Sequence, residues 1–426
     1  MLIIFRGCIM NRKGFISTAA LYSFFLVFCM LLILIMTTYT NNRVNYKSVK
    51  IDAKKWAYDN SSLKNRYFST PDNPIIIPSD GPSNPDNPSP SPEPGNPDTP
   101  VFSIEGYKTI LINNGGGNTT YDSAITYIKG KPTPTFSKVA TTNEGMFAAN
   151  DNQGTSYYFR GAVNNNWVKF GKDKYGSDMY WRIIRINGDN SIRMIYSGTN
   201  APTATTSVIM TGSTTAVGQS VYNTVTSGAE YTGYMYQKNY QRNNVNNSTI
   251  KNKVDEWFAD TSLASTDSIK VVDSIFCNDR DTVANWASKP GANLIFNGRD
   301  RNVSSKNPSL KCNNDADKFT VSKDKSNKAL RYPVGLITID EVAMAGGCFL
   351  STNKNYYLYT GISYYTMTPN FIRRGGAAFV FFVDRKGDYP NSSIGSNIYI
   401  RPVINLNGNV KLSGTGTYDN VYEVVK

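Results

Sequence analysis

Tyr180-Trp181-Arg182-Ile183-Ile184-Arg185-Ile186, Asn187-Gly188-Asp189-Asn190 and Ser191-Ile192-Arg193-Met194-Ile195-Tyr196 follow one another without a break, and their pattern decides the fold. Two runs that alternate apolar and basic residues, joined by four residues of turn chemistry, predict an antiparallel β-hairpin. Downstream, Phe379-Val380-Phe381-Phe382-Val383 and Ile398 to Leu406 read as further strands, the second broken by Pro402. Helices are fewer. Ile250, Val254, Trp257 and Phe258 recur at helical spacing after Asn247-Ser248-Thr249, a capping signal, and Thr338 to Ala345 carries Ile339, Val342 and Ala343 on one side. The expected class is α+β, with a β-rich globular region at 101–426.

Outward from that region toward the N-terminus, the character of the chain changes twice. Residues 71–100 hold eleven of the twenty prolines, interleaved with Asp, Asn, Ser and Gly, a composition that buries no core and reads as a linker. As polyproline II, at about 3.1 Å per residue, it would reach on the order of 90 Å. Residues 41–70 allow a juxtamembrane helical extension, with Val49, Ala53, Trp56 and Ala57 near one face. Phe15 to Tyr39 contains no charged residue and is apolar all round, flanked by Arg12-Lys13 and Arg43. About 20 such residues cross a hydrocarbon core, so 15–40 is expected to be a single transmembrane helix. Basic residues are more numerous after the span than before it. The external composition beyond residue 70 nonetheless favours an inside N-terminus and an outside C-terminal region, because large domains translocate largely regardless of charge.

Charge and composition narrow the function classes. The sequence has no histidine, which removes Ser-His-Asp, Cys-His and His-zinc chemistry. Residues 101–426 carry thirty-five Lys/Arg against twenty-five acids, a net charge of +10, but the basic residues are scattered and no nucleic-acid partner is expected. Cys8 and Cys29 fall in the leader and the span. Cys277, Cys312 and Cys348 remain outside, and three cysteines allow three single bridges. Without a histidine to activate it, Cys348 reads as a buried thiol.

Asn278-Asp279-Arg280-Asp281, Asn297-Gly298-Arg299-Asp300 and Asn313-Asn314-Asp315-Ala316-Asp317 offer oxygen ligands that suit calcium. They are also ordinary turn residues, and the interleaved arginines favour turns, so no cofactor or metal is expected. Gly115-Gly116-Gly117 lacks the Lys-Ser/Thr of a phosphate loop. Asp340-Glu341 is an adjacent acidic pair; a glycosidase would need two carboxylates roughly 5–10 Å apart across a cleft, while the alternative reading is the first turn of a helix whose dipole favours acids there. Tyr356, Tyr357, Tyr359, Tyr364 and Tyr365 offer flat apolar faces with hydroxyls, which suit stacking on sugars, although strand alternation would turn about half of them inward.

Two resemblances follow from particular motifs. Asn11-Arg12-Lys13-Gly14-Phe15-Ile16-Ser17-Thr18, within 11–40, resembles the prepilin signal. That resemblance implies a leader at 1–14, cleavage between Gly14 and Phe15, and N-methylation of Phe15. Ala19 stands where pilins carry the Glu that registers subunits, which weighs against filament assembly. Ser156-Tyr157-Tyr158-Phe159-Arg160-Gly161, Asn166-Trp167-Val168-Lys169-Phe170, Trp181 to Asp189, Gly335 to Val342, Tyr365-Thr366-Met367-Thr368-Pro369 and Ile400 to Leu406 together resemble an uncharacterised domain recurrent in Gram-positive surface proteins, across most of 150–426. This resemblance implies a Cys277–Cys312 disulfide. The late strand pair and closing Arg401-Pro402-Val403 are similar to the C-type-lectin-like and formylglycine-generating-enzyme-like scaffold, though the copper-binding cysteine pair of the latter has no counterpart here.

The expectation is therefore a single-pass cell-membrane protein with an extracellular domain that binds or adheres to a glycan, wall polymer or surface protein without catalysis. The alternatives are a pilin-like filament subunit and a cell-wall-directed enzyme.

Overall fold

The computed structural model describes residues 104–116, 120–240, 242–283 and 293–425. The expected leader, span, extension and linker at 1–100 lie outside them. Among the described residues, no helix is long and apolar enough to cross a membrane. Gly95–Lys426 forms a compact unit of its own.

The chain enters through α1 (Gly106–Asn114) and α2 (Tyr121–Gly130), whose Ile110, Leu111, Ala124 and Ile128 are buried. Five antiparallel strands follow: β1 (Asn143–Asn150), β2 (Thr155–Gly161), β3 (Trp167–Lys172), β4 (Asp178–Ile186) and β5 (Ile192–Tyr196). The expected hairpin is β4–β5. Trp181 pairs with Tyr196 and Ile186 with Ile192, with a register slip between Ile183 and Arg185. Its turn is closed by Asn187 N–H donating to Ser191 O at 2.8 Å, with Asn190 left-handed at φ 66°. Gly161, at φ +88°, ends β2 where a Cβ would stand 1.9 Å from Thr142 O, so only glycine fits there.

Short pieces come next: β6 (Gln219–Ser220), β7 (Met235–Tyr236), β8 (Asn246–Asn247), α3 (Thr249–Ala259), β9 (Phe276–Cys277), β10 (Leu294–Ile295), β11 (Lys318–Phe319) and β12 (Val334–Gly335). The predicted caps are present. Ser248 Oγ accepts from Lys251 N–H ahead of α3. Thr338 and Glu341 form a reciprocal capping box on α4 (Ile339–Met344), satisfying two end donors that the helix cannot. The C-terminal part supplies β13 (Tyr364–Ile372), β14 (Ala378–Val383), β15 (Asn391–Ser393), β16 (Ile398–Tyr399), β17 (Val403–Leu406), β18 (Leu412–Ser413) and β19 (Tyr422–Val424). Pro402 falls in the break between β16 and β17, as its missing N–H requires.

Among the described residues the strands form a nine-stranded sheet, ordered β12-β17-β5-β4-β3-β19-β18 with β2 on β4 and β1 on β2. A six-stranded sheet is ordered β15-β14-β13-β16-β6 with β10 on β13. The chain is thus α+β, and one large apolar cluster joins both sheets with α3 and α4. Within it lies an arrangement the sequence pattern did not announce. An alternating antiparallel strand commonly turns its polar face to water. Here Arg182, Arg185 and Arg193 share one face of β4–β5, and all three are buried. Arg182 donates to Asn166 Oδ1 (2.6 Å), Val163 O (2.6 Å) and Val208 O (2.7 Å), and its guanidinium lies 4.1 Å from the Trp167 ring centroid. These partners replace the water it has lost.

The Cys277–Cys312 disulfide is present. It joins β9 to the segment before β11, and Asn152 clamps the same place: its Oδ1 accepts from Cys312 N–H (2.7 Å) and its Nδ2 donates to Cys312 O (2.9 Å). Cys348 is a free, buried thiol.

Candidate functional site

The expected tyrosine site is corrected first. Tyr356, Tyr364 and Tyr365 have no exposed surface and Tyr357 only 2%. The loop that was to present them folds inward over the arginine face of β4. Tyr364 Oη donates to Leu358 O (2.9 Å), Tyr365 Oη to Ser396 O (2.7 Å), and the Tyr357 ring lies 5.4 Å from the Arg182 guanidinium. Tyr359 alone of the five is partly exposed. The other four build the core between the sheets and cannot stack on an external ligand.

Asp340 and Glu341 are drawn into a buried charged cleft beside the disulfide. Glu341 Oε1 accepts from Arg185 Nε (3.0 Å) and stands 2.5 Å from Arg193 Nε, while Arg185 Nη1 donates to Asp151 Oδ2 (3.0 Å). Burial alone would raise the Glu341 carboxyl, but Arg193 and Arg185 outweigh it and hold the group below its ordinary value. Arg301 donates through Nε and Nη2 to Asp340 (3.0 and 2.9 Å) and through Nη2 to Asp279 (2.6 Å), so these two carboxylates stand on one guanidinium. Asp340 also accepts from Asn302 Nδ2 and Ser309 N–H.

Asp279 differs from its neighbours. It adopts φ 39°, unusual for a residue with a side chain, and burial, helped by nearby Asp340, pushes its carboxyl up to about 6 despite Arg301. The space among these groups is about 30 Å3. That is room for a water or two, not for a sugar ring.

The remaining Asn/Asp clusters turn to protein partners. Asp317 receives Arg280 Nε (2.6 Å) and its backbone N–H (2.8 Å), Asp281 receives Arg242, and Asp315 receives Lys318 Nζ (2.7 Å). Among the described residues no group of three His, Cys, Asp or Glu is gathered as a metal-ligand set.

An aromatic surface appears elsewhere, at residues the sequence reading did not select. A groove of about 440 Å3 runs between α3, the end of β5 and the β3–β4 turn. Tyr175, Tyr196 and Trp257 line it, with Asp173, Lys174, Thr199, Thr214, Lys253, Glu256 and Asp260 around them. Its size is that of ordinary ligand sites. Ile250, Val254 and Phe258 form the buried stripe of α3, and Trp257, one position off that stripe, is left partly exposed. Its ring is held by an edge contact at 5.5 Å from Tyr196 and a tilted one at 6.3 Å from Trp181.

Tyr175 is 80% exposed. It rides on a turn that Asp173 Oδ1 ties down by accepting from Tyr175 N–H (2.9 Å) and Ser177 N–H (2.8 Å), with Gly176 at φ +83°. Lys174 Nζ sits 5.0 Å from its ring centroid. The signals available beforehand were an aromatic residue inside a turn and a tryptophan at the edge of the apolar stripe of a helix. Three acids and two lysines line the groove, and Lys253 already pairs with Glu256 at 2.8 Å, so the wall is close to neutral. Aromatic faces flanked by hydroxyls, carboxylates and ammonium groups can stack on an apolar sugar face while hydrogen-bonding its rim.

No family model, no curated protein and no solved structure matches the chain.

Proposed function

We propose that this chain is a membrane-anchored surface protein whose outer domain binds a neutral glycan in the groove of Tyr175, Tyr196 and Trp257 without turning it over. The groove carries this reading: it combines one highly exposed ring, one partly exposed indole held by its neighbours, and polar side chains around them. The indole of Trp257, held by Tyr196 and Trp181, has little side-chain entropy left to lose on binding. The uncharged run at 15–40 and the proline-rich 71–100 support anchoring and display. The long β13–β14 pair before Arg401-Pro402 supports a C-type-lectin-like scaffold.

Binding without catalysis is supported by how the acids of the cleft are engaged, since Asp340 and Glu341 each accept several hydrogen bonds where a nucleophile would need one side free. The wall of the groove favours a neutral ligand over the anionic polymers that a net charge of +10 suggests, because local charge, not the total, meets the ligand. The Gly14-Phe15 junction favours a second reading, a filament subunit, against which Ala19 weighs.

Calorimetric titration of residues 95–426 with chitohexaose, an uncharged N-acetylated probe, tests the proposal. Saturable binding that added salt leaves unchanged is expected, with Trp257→Ala weakening it about tenfold or more, on the order of 1–2 kcal/mol for one lost stacking partner. Wild-type affinity in Trp257→Ala, or release of shortened oligosaccharide, would sink it.

A further inference from the structure

A second aromatic groove, of about 330 Å3, is lined among others by Tyr180, Ala201, Pro202, Tyr418, Asp419 and Glu423. We infer that it is a second subsite for the same neutral glycan chain, so that the ligand is a polymer crossing the end of the large sheet; this rests on the glycan reading of the first groove.

Three observations link the two grooves. Tyr180 and Trp181 are successive residues of β4, and successive strand side chains take opposite faces. Tyr180 therefore lines the second groove while Trp181 packs beneath Trp257 and Tyr196 of the first. The segment after β5 passes between them, placing Thr199 in the wall of the first groove and Ala201 and Pro202 in the wall of the second. Two residues of chain span at most roughly 7 Å, so the rims are that close. The segment is pinned where it leaves the sheet, with Tyr180 N–H donating to Gly198 O and Ser197 N–H to Tyr180 O, both at 2.8 Å.

The second groove also repeats the chemistry of the first. Tyr418 is 40% exposed. Its loop is held by Thr415 and Gly416 N–H donating to Asn420 O (2.9 Å each) and by Trp167 N–H donating to Gly416 O (2.9 Å). Glu423 pairs with Lys169 at 2.5 Å, leaving Asp419 as the one acid without such a pair among the lining residues. A rigid exposed ring, a proline face and amide and hydroxyl groups meet a sugar as the first groove does, and one chain on both would bind as a linked pair.

The test compares chitobiose with chitohexaose on residues 95–426, carrying wild-type sequence, Tyr418→Ala, Tyr418→Phe or Trp257→Ala, each checked for unchanged circular dichroism and melting. Wild type should bind the hexamer at least tenfold more tightly than the dimer. Tyr418→Ala should abolish that advantage, Tyr418→Phe should retain it, and Trp257→Ala should weaken both ligands. Equal wild-type affinities for dimer and hexamer, or a wild-type length advantage in Tyr418→Ala, would overturn the second subsite and leave the first intact. Wild-type protein that binds neither ligand would overturn both.

Discussion

Replacing Glu341 by Gln removes the anion of the buried cleft while keeping the helix cap. Glutamine still suits the third helical position of a capping box, so the bonds that Thr338 N–H (2.9 Å) and Oγ1 (3.2 Å) make to Oε2 retain an acceptor, and side-chain volume hardly changes. What is lost is the negative charge facing Arg193 at 2.5 Å and Arg185 at 3.0 Å and, because the amide NH2 then takes the place of Oε1, the acceptor those two arginines share, all three side chains being at least nine-tenths buried. Arg185 keeps Asp151, whereas Arg193 keeps only a long contact to Asn405 Oδ1 at 3.5 Å and the Phe276 ring at 4.5 Å.

Removing one partner of such a pair leaves a buried charge uncompensated, which costs about 3–5 kcal/mol, well above the ~1 kcal/mol of a lost cap. Urea unfolding of residues 95–426 at neutral pH should show that loss. The paired change Arg193→Met with Glu341→Leu should cost much less than the sum of its singles, because no buried charge is then stranded. The folded-state Glu341 carboxyl is depressed, so its contribution is present above the unfolded value near 4.3 and is lost as pH falls through the folded value. A loss under about 1 kcal/mol for Glu341→Gln, or additive singles, would refute the reasoning.

Two further outcomes follow from the same cleft. The bridge closes a separation of 35 residues, so Cys277→Ser with Cys312→Ser should lower stability by about 3–4 kcal/mol, and non-reducing peptide mapping should find those two joined and Cys348 free; a Cys348 bridge would show the assignment wrong. The folded-state Asp279 carboxyl is raised to about 6, above its unfolded value near 3.9, so the folded state binds the extra proton and stability falls as pH rises between them. Asp279→Asn keeps an acceptor for Arg301 and tolerates φ 39°, and should gain on the order of 1–2 kcal/mol over wild type at pH 8 and nothing near pH 4. A variant less stable than wild type at pH 8, measured by the same urea series, would contradict this.

Local signals in the sequence determined the local structure. Alternation and an Asn-Gly turn specified the β4–β5 hairpin, Ser248 and Thr338 specified two helix starts, and Pro402 specified a strand break, because each depends on backbone donors and sterics within a few residues. The absence of histidine likewise excluded whole mechanisms. Which faces meet water was decided only in three dimensions. Strict alternation would put Arg182 and Arg185, three residues apart, on opposite faces; the register slip between Ile183 and Arg185 brings both to the side of Arg193, and it is Val163, Val208, Tyr357 and Glu341, distant in sequence, that cover that side and supply its partners. The same long-range covering took Tyr356, Tyr357, Tyr364 and Tyr365 into the core, and left Tyr175 and Trp257 outside it. Burial is a property of the neighbours a residue acquires, and for these residues the neighbours come from segments tens to hundreds of positions away, where no local pattern can register them.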